Sequence, residues 1–183
     1  MSDFDFVSHY GVETEETGGE LLPENTAVSA INCGFVGVGG GGGKLAKAFL
    51  DLGFTKTLLV NTTDKDQPEG IDPQHVVTIP DSDGVGKDVA FGKKVLRDNG
   101  TVVEDALRTK LGKVDWLFVL AGGGGGTGSA TGALASVFER YLKSVQASGT
   151  VIYIATVPTA QEALNDTIRN NANSLIQDIS EYP

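Results

Sequence analysis

Two runs of five consecutive glycines constrain this sequence more than any other feature. The first occupies residues 39–43 and the second residues 122–126, and each directly follows a short apolar run. Residues 37–43 and 122–128 together hold 12 of the chain's 25 glycines. Because glycine loses more backbone entropy on folding than any other residue, runs of this kind are costly unless the backbone must approach something closely. We therefore expect both runs to lie where another group approaches the main chain closely.

The rest of the sequence alternates between apolar strands and amphipathic helices. Continuous runs of Val, Ile and Leu predict strands that are buried on both faces, at 33–38, 56–61, 75–79, 115–121 and 150–156. Apolar residues at spacings of three and four predict helices at 44–52, 92–111, 131–147 and 160–179. This alternation predicts an α/β fold, a Rossmann-like and mostly parallel sheet with helices on both faces. Ligands of such sheets bind beyond the carboxyl ends of the strands, where both glycine runs fall.

Composition and charge exclude several classes of protein. The formal net charge of −10 disfavours nucleic acid as a partner, because phosphate backbones select surfaces rich in Lys and Arg. No apolar run approaches the roughly 20 residues that span a bilayer, and the N-terminus lacks a signal-peptide pattern. One cysteine and two histidines provide neither a disulfide framework nor a Cys/His metal site. We expect a cytoplasmic protein without a membrane partner.

The N-terminal segment differs in composition from the rest of the chain. Residues 1–30 carry seven acidic side chains and no Lys or Arg, which predicts an extended or disordered arm. Such an arm either solubilises the protein or docks on a neighbouring copy through Phe4, Phe6 and Tyr10. Residues 31–183 then form the single folded domain.

The chemistry that suits two glycine runs on one sheet edge is the binding of phosphates. Glycine lets main-chain N–H groups approach an anion, and a following helix N-terminus adds a favourable dipole. Two runs could hold a di- or triphosphate from two sides, whereas tight packing alone would require only one or two glycines. A Walker A loop is excluded because Val38 and Leu45 stand where that motif needs Gly and Ser or Thr. A dinucleotide fingerprint does match at Gly37, Gly39 and Gly42, although it leaves the second run unexplained.

Both runs, taken together, resemble the tubulin/FtsZ family of polymerising GTPases. Residues 124–130 (GGGTGSA) are similar to the family signature GGGTG[ST]G, and residues 37–44 (GVGGGGGK) to GVGGGGGN. Further similarities follow in the family's order, at 60–64 (VNTTD), 84–88 (GVGKD) with Gly92, and 156–158 (TVP) with Glu162. The resemblance spans about residues 32–166. Lys44 and Ala130 depart from the family pattern, which indicates a divergent relative of the phage or plasmid type.

The resemblance implies a set of nucleotide-binding residues. The α- and β-phosphates would be held by Gly40, Gly41, Gly42, Gly43 and Lys44, and from the other side by Gly124, Gly125, Gly126, Thr127 and Gly128. Gly86 and Lys87 would approach the γ-phosphate, and Glu162 a ribose hydroxyl. Asn61 would face the nucleotide or satisfy the end of its own strand. Asp166 stands where the family has Arg, so Arg169 is a possible substitute, and Asn170 or Asn171 would read guanine.

The implied activity is that of a guanine-nucleotide-binding domain in a filament-forming GTPase, with GTP or GDP bound and Mg2+ accompanying the triphosphate. Filaments of this family grow head to tail, and an acidic loop of the next subunit completes hydrolysis. No such segment follows Glu162, and no catalytic residue is identifiable, so we expect the chain to end before the activation domain and to hydrolyse GTP very slowly alone. Two alternatives stay open: an NAD(P)-binding oxidoreductase, and a non-catalytic interaction domain of the same fold, for which Lys44 and Asp166 are the best evidence.

Overall fold

The protein is described here from a computed structural model that covers residues 32–80 and 82–182, so the acidic arm predicted at 1–30 lies outside the described residues. The strands are β1 (Cys33–Val38), β2 (Thr57–Asn61), β3 (Val76–Thr78), β4 (Trp116–Gly122) and β5 (Thr150–Thr156). The α-helices are α1 (Gly39–Asp51), α2 (Val89–Asp98), α3 (Gly100–Leu111), α4 (Gly126–Ser129), α5 (Ala135–Ser144) and α6 (Asp166–Ser180). Short 3₁₀ helices cover Pro73–His75, Thr131–Leu134 and Glu162–Leu164.

The five strands form one parallel sheet in the order β3-β2-β1-β4-β5. The last residue of β1, Val38, lies level with Val60 of β2 and Ala121 of β4. On the other side of β4, Gly122 lies level with Thr156 of β5. This register places the carboxyl ends of four strands at one edge of the sheet, and it confirms the α/β fold predicted from the sequence.

Helices cover both faces of the sheet because successive side chains of each strand point to opposite sides. On one face, Val36 and Val38 belong to the larger core with Phe138 and Tyr141 of α5. On the other face, Phe35 belongs to a smaller core that packs against α1. The larger core also contains Leu96 of α2 and Leu107 of α3. The sheet is therefore the middle layer of a three-layer structure, and its strand ends are held rigidly from both sides.

Several helix predictions need correction. The helix predicted over 160–179 begins only at Asp166, after the 3₁₀ turn at Glu162–Leu164. The helix predicted over 92–111 is two helices, because the Asn99 side chain donates a 3.0 Å hydrogen bond to the carbonyl of Val95 and α2 ends there. The helix predicted over 131–147 starts as a 3₁₀ segment and becomes α-helical only at Ala135. None of the helices among residues 32–80 and 82–182 is long and apolar enough to cross a membrane.

The helix predicted over 44–52 begins earlier, at Gly39, so the first glycine run forms the opening turns of α1 and does not connect β1 to it. A Cβ atom on Gly42 would lie 2.2 Å from the main-chain oxygen of Leu120, which belongs to β4. One on Gly37 would lie 2.3 Å from the oxygen of Gly42. Helix α1 therefore starts immediately after β1 and lies directly on the backbone of the sheet, which a side chain at these positions would prevent.

Candidate functional site

A cavity of about 740 Å³ opens at the carboxyl ends of the strands. The N-terminus of α1 forms one wall and the second glycine run forms the opposite wall. The remaining walls come from the segments after β2 and β5 and from the loop that leads into α2. Predicted binding residues that line it are Gly40, Gly41, Asn61, Gly86, Lys87, Gly124, Gly125, Gly126, Thr127, Gly128 and Glu162. The structure thus brings eleven of the sixteen predicted residues to one place.

Close contact between main chains explains part of each glycine run. A Cβ atom on Gly39, whose φ is +70°, would lie 2.6 Å from the main-chain nitrogen of Gly128. A Cβ atom on Gly128 would itself lie 2.5 Å from the oxygen of Gly122. The two glycine segments therefore pack backbone against backbone, and packing accounts for more of these glycines than we expected from the sequence.

Other glycines have open space where a side chain would be. A Cβ atom on Gly125 would have no other atom within 4 Å, and one on Gly124 would have only a methyl group of Ile168, at 3.5 Å. Gly41 has only the backbone of Gly122 nearby, at 3.3 Å and beyond. These three positions border the cavity, so their bare main chain is accessible from it. Packing does not account for glycine at 124 and 125.

The end of β2 is tied to the second glycine segment by a pair of buried threonines. The hydroxyl oxygens of Thr62 and Thr127 are 2.7 Å apart, and both residues are buried. The neighbouring Asn61 is 6% exposed, and its Oδ1 accepts a 2.9 Å hydrogen bond from the main-chain N–H of Thr62. Its Nδ2 donates to Asp66 Oδ1 at 2.6 Å. Asn61 is therefore engaged on both sides of its amide, and it also borders the cavity.

The loop before α2 is held against the same strand end. Gly84 donates its N–H to the oxygen of Thr62 at 2.8 Å and has a φ of +89°, a conformation that favours glycine. Gly86, at φ +57°, accepts a 3.2 Å hydrogen bond on its oxygen from the N–H of Gly126. Asp88 caps α2 by accepting from the N–H of Phe91 at 2.9 Å. These bonds fix the backbone on either side of Lys87, which is exposed at the cavity wall.

Glu162 reaches the cavity from the segment that follows β5. Its Oε2 accepts hydrogen bonds from the N–H and the hydroxyl of Thr159, both at 2.8 Å. These bonds hold the pKa of Glu162 below its ordinary value, and the bond from the main-chain N–H of Thr159 has the larger effect. The side chain is therefore a carboxylate at neutral pH, suited to accepting hydrogen bonds from ligand hydroxyl groups.

The other five of the sixteen residues do not line the cavity: Gly42, Gly43, Lys44, Asp166 and Asn170. Arg169 and Asn171, the alternatives named for the last two, do not line it either. Gly42 and Gly43 are buried inside α1, while the side chain of Lys44 is exposed. Asp166 forms an ion pair with Arg169 one turn along α6.

Asn170 is exposed, whereas its neighbour Asn171 is 7% exposed. Asn171 donates to the main-chain oxygens of Lys87 and Gly124, so its amide joins two walls of the site. Neither asparagine lines the cavity.

Several cavity residues were not predicted as binding residues. Polar side chains in this group are Thr62, Thr63, Lys65, Asp66, Asp83 and Thr156. Thr62, Thr63 and Thr156 lie inside motifs that the resemblance already marks, so their neighbours offered a signal. Asp66 and Asp83 fall outside every motif that we used. Lys65 and Asp83 form an exposed ion pair of 2.7 Å, which raises the pKa of Lys65.

Solved structures with the same fold are tubulin-like proteins. One is CetZ from Methanosaeta thermophila strain DSM 6194, with a TM-score of 0.70 and 23% identity, covering 82% of this chain and 43% of that one. Another is Clostridium botulinum phage c-st TubZ, a protein truncated at its C-terminal tail, with a TM-score of 0.70, 22% identity, and 82% and 48% coverage. A third is a GTPγS-form protofilament of Bacillus thuringiensis serovar israelensis TubZ, with a TM-score of 0.63, 23% identity, and 82% and 42% coverage.

These comparisons establish the fold. The described chain has the tubulin-like α/β fold that the glycine segments and their order implied, and it spans less than half the length of these solved structures. No protein-family model matches the sequence, and no curated protein matches it.

Proposed function

We propose that this chain is the guanine-nucleotide-binding domain of a tubulin-like GTPase that assembles into filaments. The observation that carries the proposal is the position of the two glycine segments. The N-terminus of α1 and the open glycines Gly124 and Gly125 face one cavity at the sheet edge where α/β folds bind ligands. Main-chain N–H groups and a helix dipole suit this arrangement to phosphate groups.

The proposed orientation of the nucleotide follows from the chemistry of the cavity walls. Its phosphates would lie between α1 and the second glycine segment, with the γ-phosphate towards Gly86 and Lys87. The ribose would lie towards Glu162, whose carboxylate accepts hydrogen bonds. The cavity volume of about 740 Å³ is within the range typical of small-molecule sites, so it supports binding of a small molecule here.

Magnesium fits this site as a companion of the phosphates. Among residues 32–80 and 82–182, no group of three or more His, Cys, Asp or Glu side chains could hold a metal ion by itself. Asp66 and Asp83 nevertheless place carboxylate oxygens at the cavity wall. Mg2+ prefers oxygen ligands and is usually held by one or two carboxylates together with substrate phosphates. Either carboxylate could complete such a set, and the ion would offset the charge of the triphosphate.

Filament formation and hydrolysis are the further parts of the proposal. Two of the structures with this fold are TubZ protofilaments, one in a GTPγS form and one in a GDP form. By analogy, bound nucleotide would control head-to-tail association of the whole protein, a contact that repeats without closing. Hydrolysis of GTP depends mainly on positioning and electrostatics. We expect it to need an acidic loop from the next subunit and to be very slow in this chain alone.

An NAD(P)-binding function is the second candidate because the strand order 3-2-1-4-5 is also that of dinucleotide-binding folds. Against it, β2 ends at Asn61, where those folds place an acidic residue near the ribose. Calorimetric titration of the chain with GDP, GTP and NAD in the presence of Mg2+ separates the candidates. We expect micromolar binding of the guanine nucleotides and no heat from NAD. Binding of NAD alone would overturn the proposal.

A further inference from the structure

The carboxylate of Asp66 occupies the space beside the start of α1. A Cβ atom on Gly40 would lie 2.1 Å from Asp66 Oδ2 and 2.8 Å from its Cγ. The three heavy atoms nearest to that position all belong to Asp66. Because Gly40 has no side chain, the Asp66 carboxylate can lie in this space. The space is at the cavity wall where a phosphate would bind.

Asn61 holds this carboxylate in place. Its Nδ2 donates to Asp66 Oδ1 at 2.6 Å, and its own Oδ1 is fixed by the N–H of Thr62. Asn61 is 6% exposed, so the amide is a rigid support. The adjacent Lys65 is paired with Asp83 rather than with Asp66.

A negative charge near the first turn of a helix is favourable, and the same dipole and free N–H groups attract a phosphate. Helix α1 contains no acidic residue of its own in its first turn. Asp66 supplies that charge from a different element. Two neighbouring anions repel each other, so without a cation between them the Asp66 carboxylate competes with a phosphate for the phosphate cradle, which is the space beside Gly40 and Gly41 at the start of α1.

We propose that Asp66 is an intramolecular competitor for the phosphate cradle. In this structure its carboxylate lies beside Gly40, and binding of phosphates displaces it. The inference rests on the proposed function, because it concerns the same cavity. Displacement is possible because Asp66 is exposed and lies in the segment between β2 and β3. Its consequence is a lower affinity for nucleotide than the glycine segments alone would give.

The substitution Asp66→Asn tests the proposal because it removes the charge and keeps the shape and an oxygen that can accept from Asn61. Asp64→Asn is the matched control: it removes one negative charge from the same exposed segment but does not border the cavity. The probes are GDP and inorganic tripolyphosphate, each titrated with EDTA and with Mg2+. We expect Asp66→Asn to bind both about tenfold more tightly than wild type in EDTA. We expect less than a twofold change for Asp64→Asn.

If Asp66→Asn and Asp64→Asn both bind the probes more tightly than wild type by the same factor, the proposal is overturned, since the change in net charge alone would explain the higher affinity. The proposal is also overturned if Asp66→Asn binds the probes more weakly than wild type in Mg2+ and equally well in EDTA. That result would make Asp66 a ligand of the metal ion. If GDP binds all three proteins equally, this inference fails while the proposed function stands. If tripolyphosphate binds Asp66→Asn more tightly and no guanine nucleotide binds any protein, the inference stands and the proposed function fails. Absence of binding by every probe would overturn both.

Discussion

Asn171 on α6 donates a 2.9 Å hydrogen bond from its side-chain Nδ2 to the main-chain oxygen of Lys87. The same nitrogen lies 3.4 Å from the oxygen of Gly124. One buried amide thus joins the loop before α2 to the second glycine segment, 84 and 47 residues away in sequence. The spacing of two walls of the cavity depends on a residue that does not itself line the cavity.

Replacing Asn171 by Ala should lower the free energy of unfolding by about 1–3 kcal/mol, because the main-chain carbonyl of Lys87 loses its partly buried hydrogen bond. Asn170→Ala, one position away on the exposed side, should change it by less than about 0.5 kcal/mol. Urea denaturation of both variants measures the difference. Equal stability of the two proteins would mean that the hydrogen bond to Lys87 does not hold the loops.

Adjacent glycines of the second run should respond differently to the same substitution. Gly125 has extended backbone angles, φ −92° and ψ 174°, and nothing within 4 Å of a Cβ. Gly125→Val should therefore fold with a stability within about 1 kcal/mol of wild type and bind GDP at least tenfold more weakly.

Gly126→Val is the counterpart, since a Cβ atom there would lie 2.6 Å from the oxygen of Gly86 and 2.7 Å from a methyl group of Val85. We expect it to be destabilised by about 1–3 kcal/mol or more. Thermal unfolding and GDP titration of the two variants give the comparison. A Gly125→Val protein that binds GDP as wild type does would show that phosphates do not approach this segment.

The two lysines predicted near the phosphates can be separated by matched substitutions that each remove one positive charge. Lys87 lines the cavity, and Lys44 does not, although both side chains are exposed. Lys87→Ala should weaken GTP about fivefold more than GDP, because its proposed contact is with the γ-phosphate. Lys44→Ala should change either affinity less than twofold. A larger loss of affinity in Lys44→Ala than in Lys87→Ala would instead support the phosphate contact that the resemblance implied for Lys44.

The pKa of Glu162 gives a prediction about pH. Because hydrogen bonds from Thr159 lower this pKa in the folded chain, their contribution to stability is present above the unfolded pKa and is lost as pH falls through the folded pKa. An NMR titration of the Glu162 side-chain carboxyl should show a midpoint below that of an ordinary glutamate, and Thr159→Val should move it upward. An unchanged midpoint in the variant would show that the threonine hydroxyl does not contribute.

Sequence reasoning led to the candidate site through its glycines, because two glycine runs are rare and their order along the chain is specific. It placed all five strands within two residues, since continuous apolar runs have one stable location in a parallel sheet. It misjudged the first glycine run, which begins α1 and packs at Gly42 against the main chain of Leu120, a residue far away in sequence. The position of Asp66 at the cavity could not be predicted for the same reason, because only the fold brings its carboxylate to Gly40.

Backbone amide NMR with and without GDP tests the central claim most directly, because glycine N–H signals fall in a separate region of the spectrum. We predict that the largest shifts occur at Gly40, Gly41, Gly124 and Gly125. A second cavity includes Tyr153 and Tyr182 in its lining, and the amides around it should stay unchanged. Shifts confined to that second cavity, or no shifts at saturating GDP, would contradict the proposal that the two glycine segments hold a guanine nucleotide.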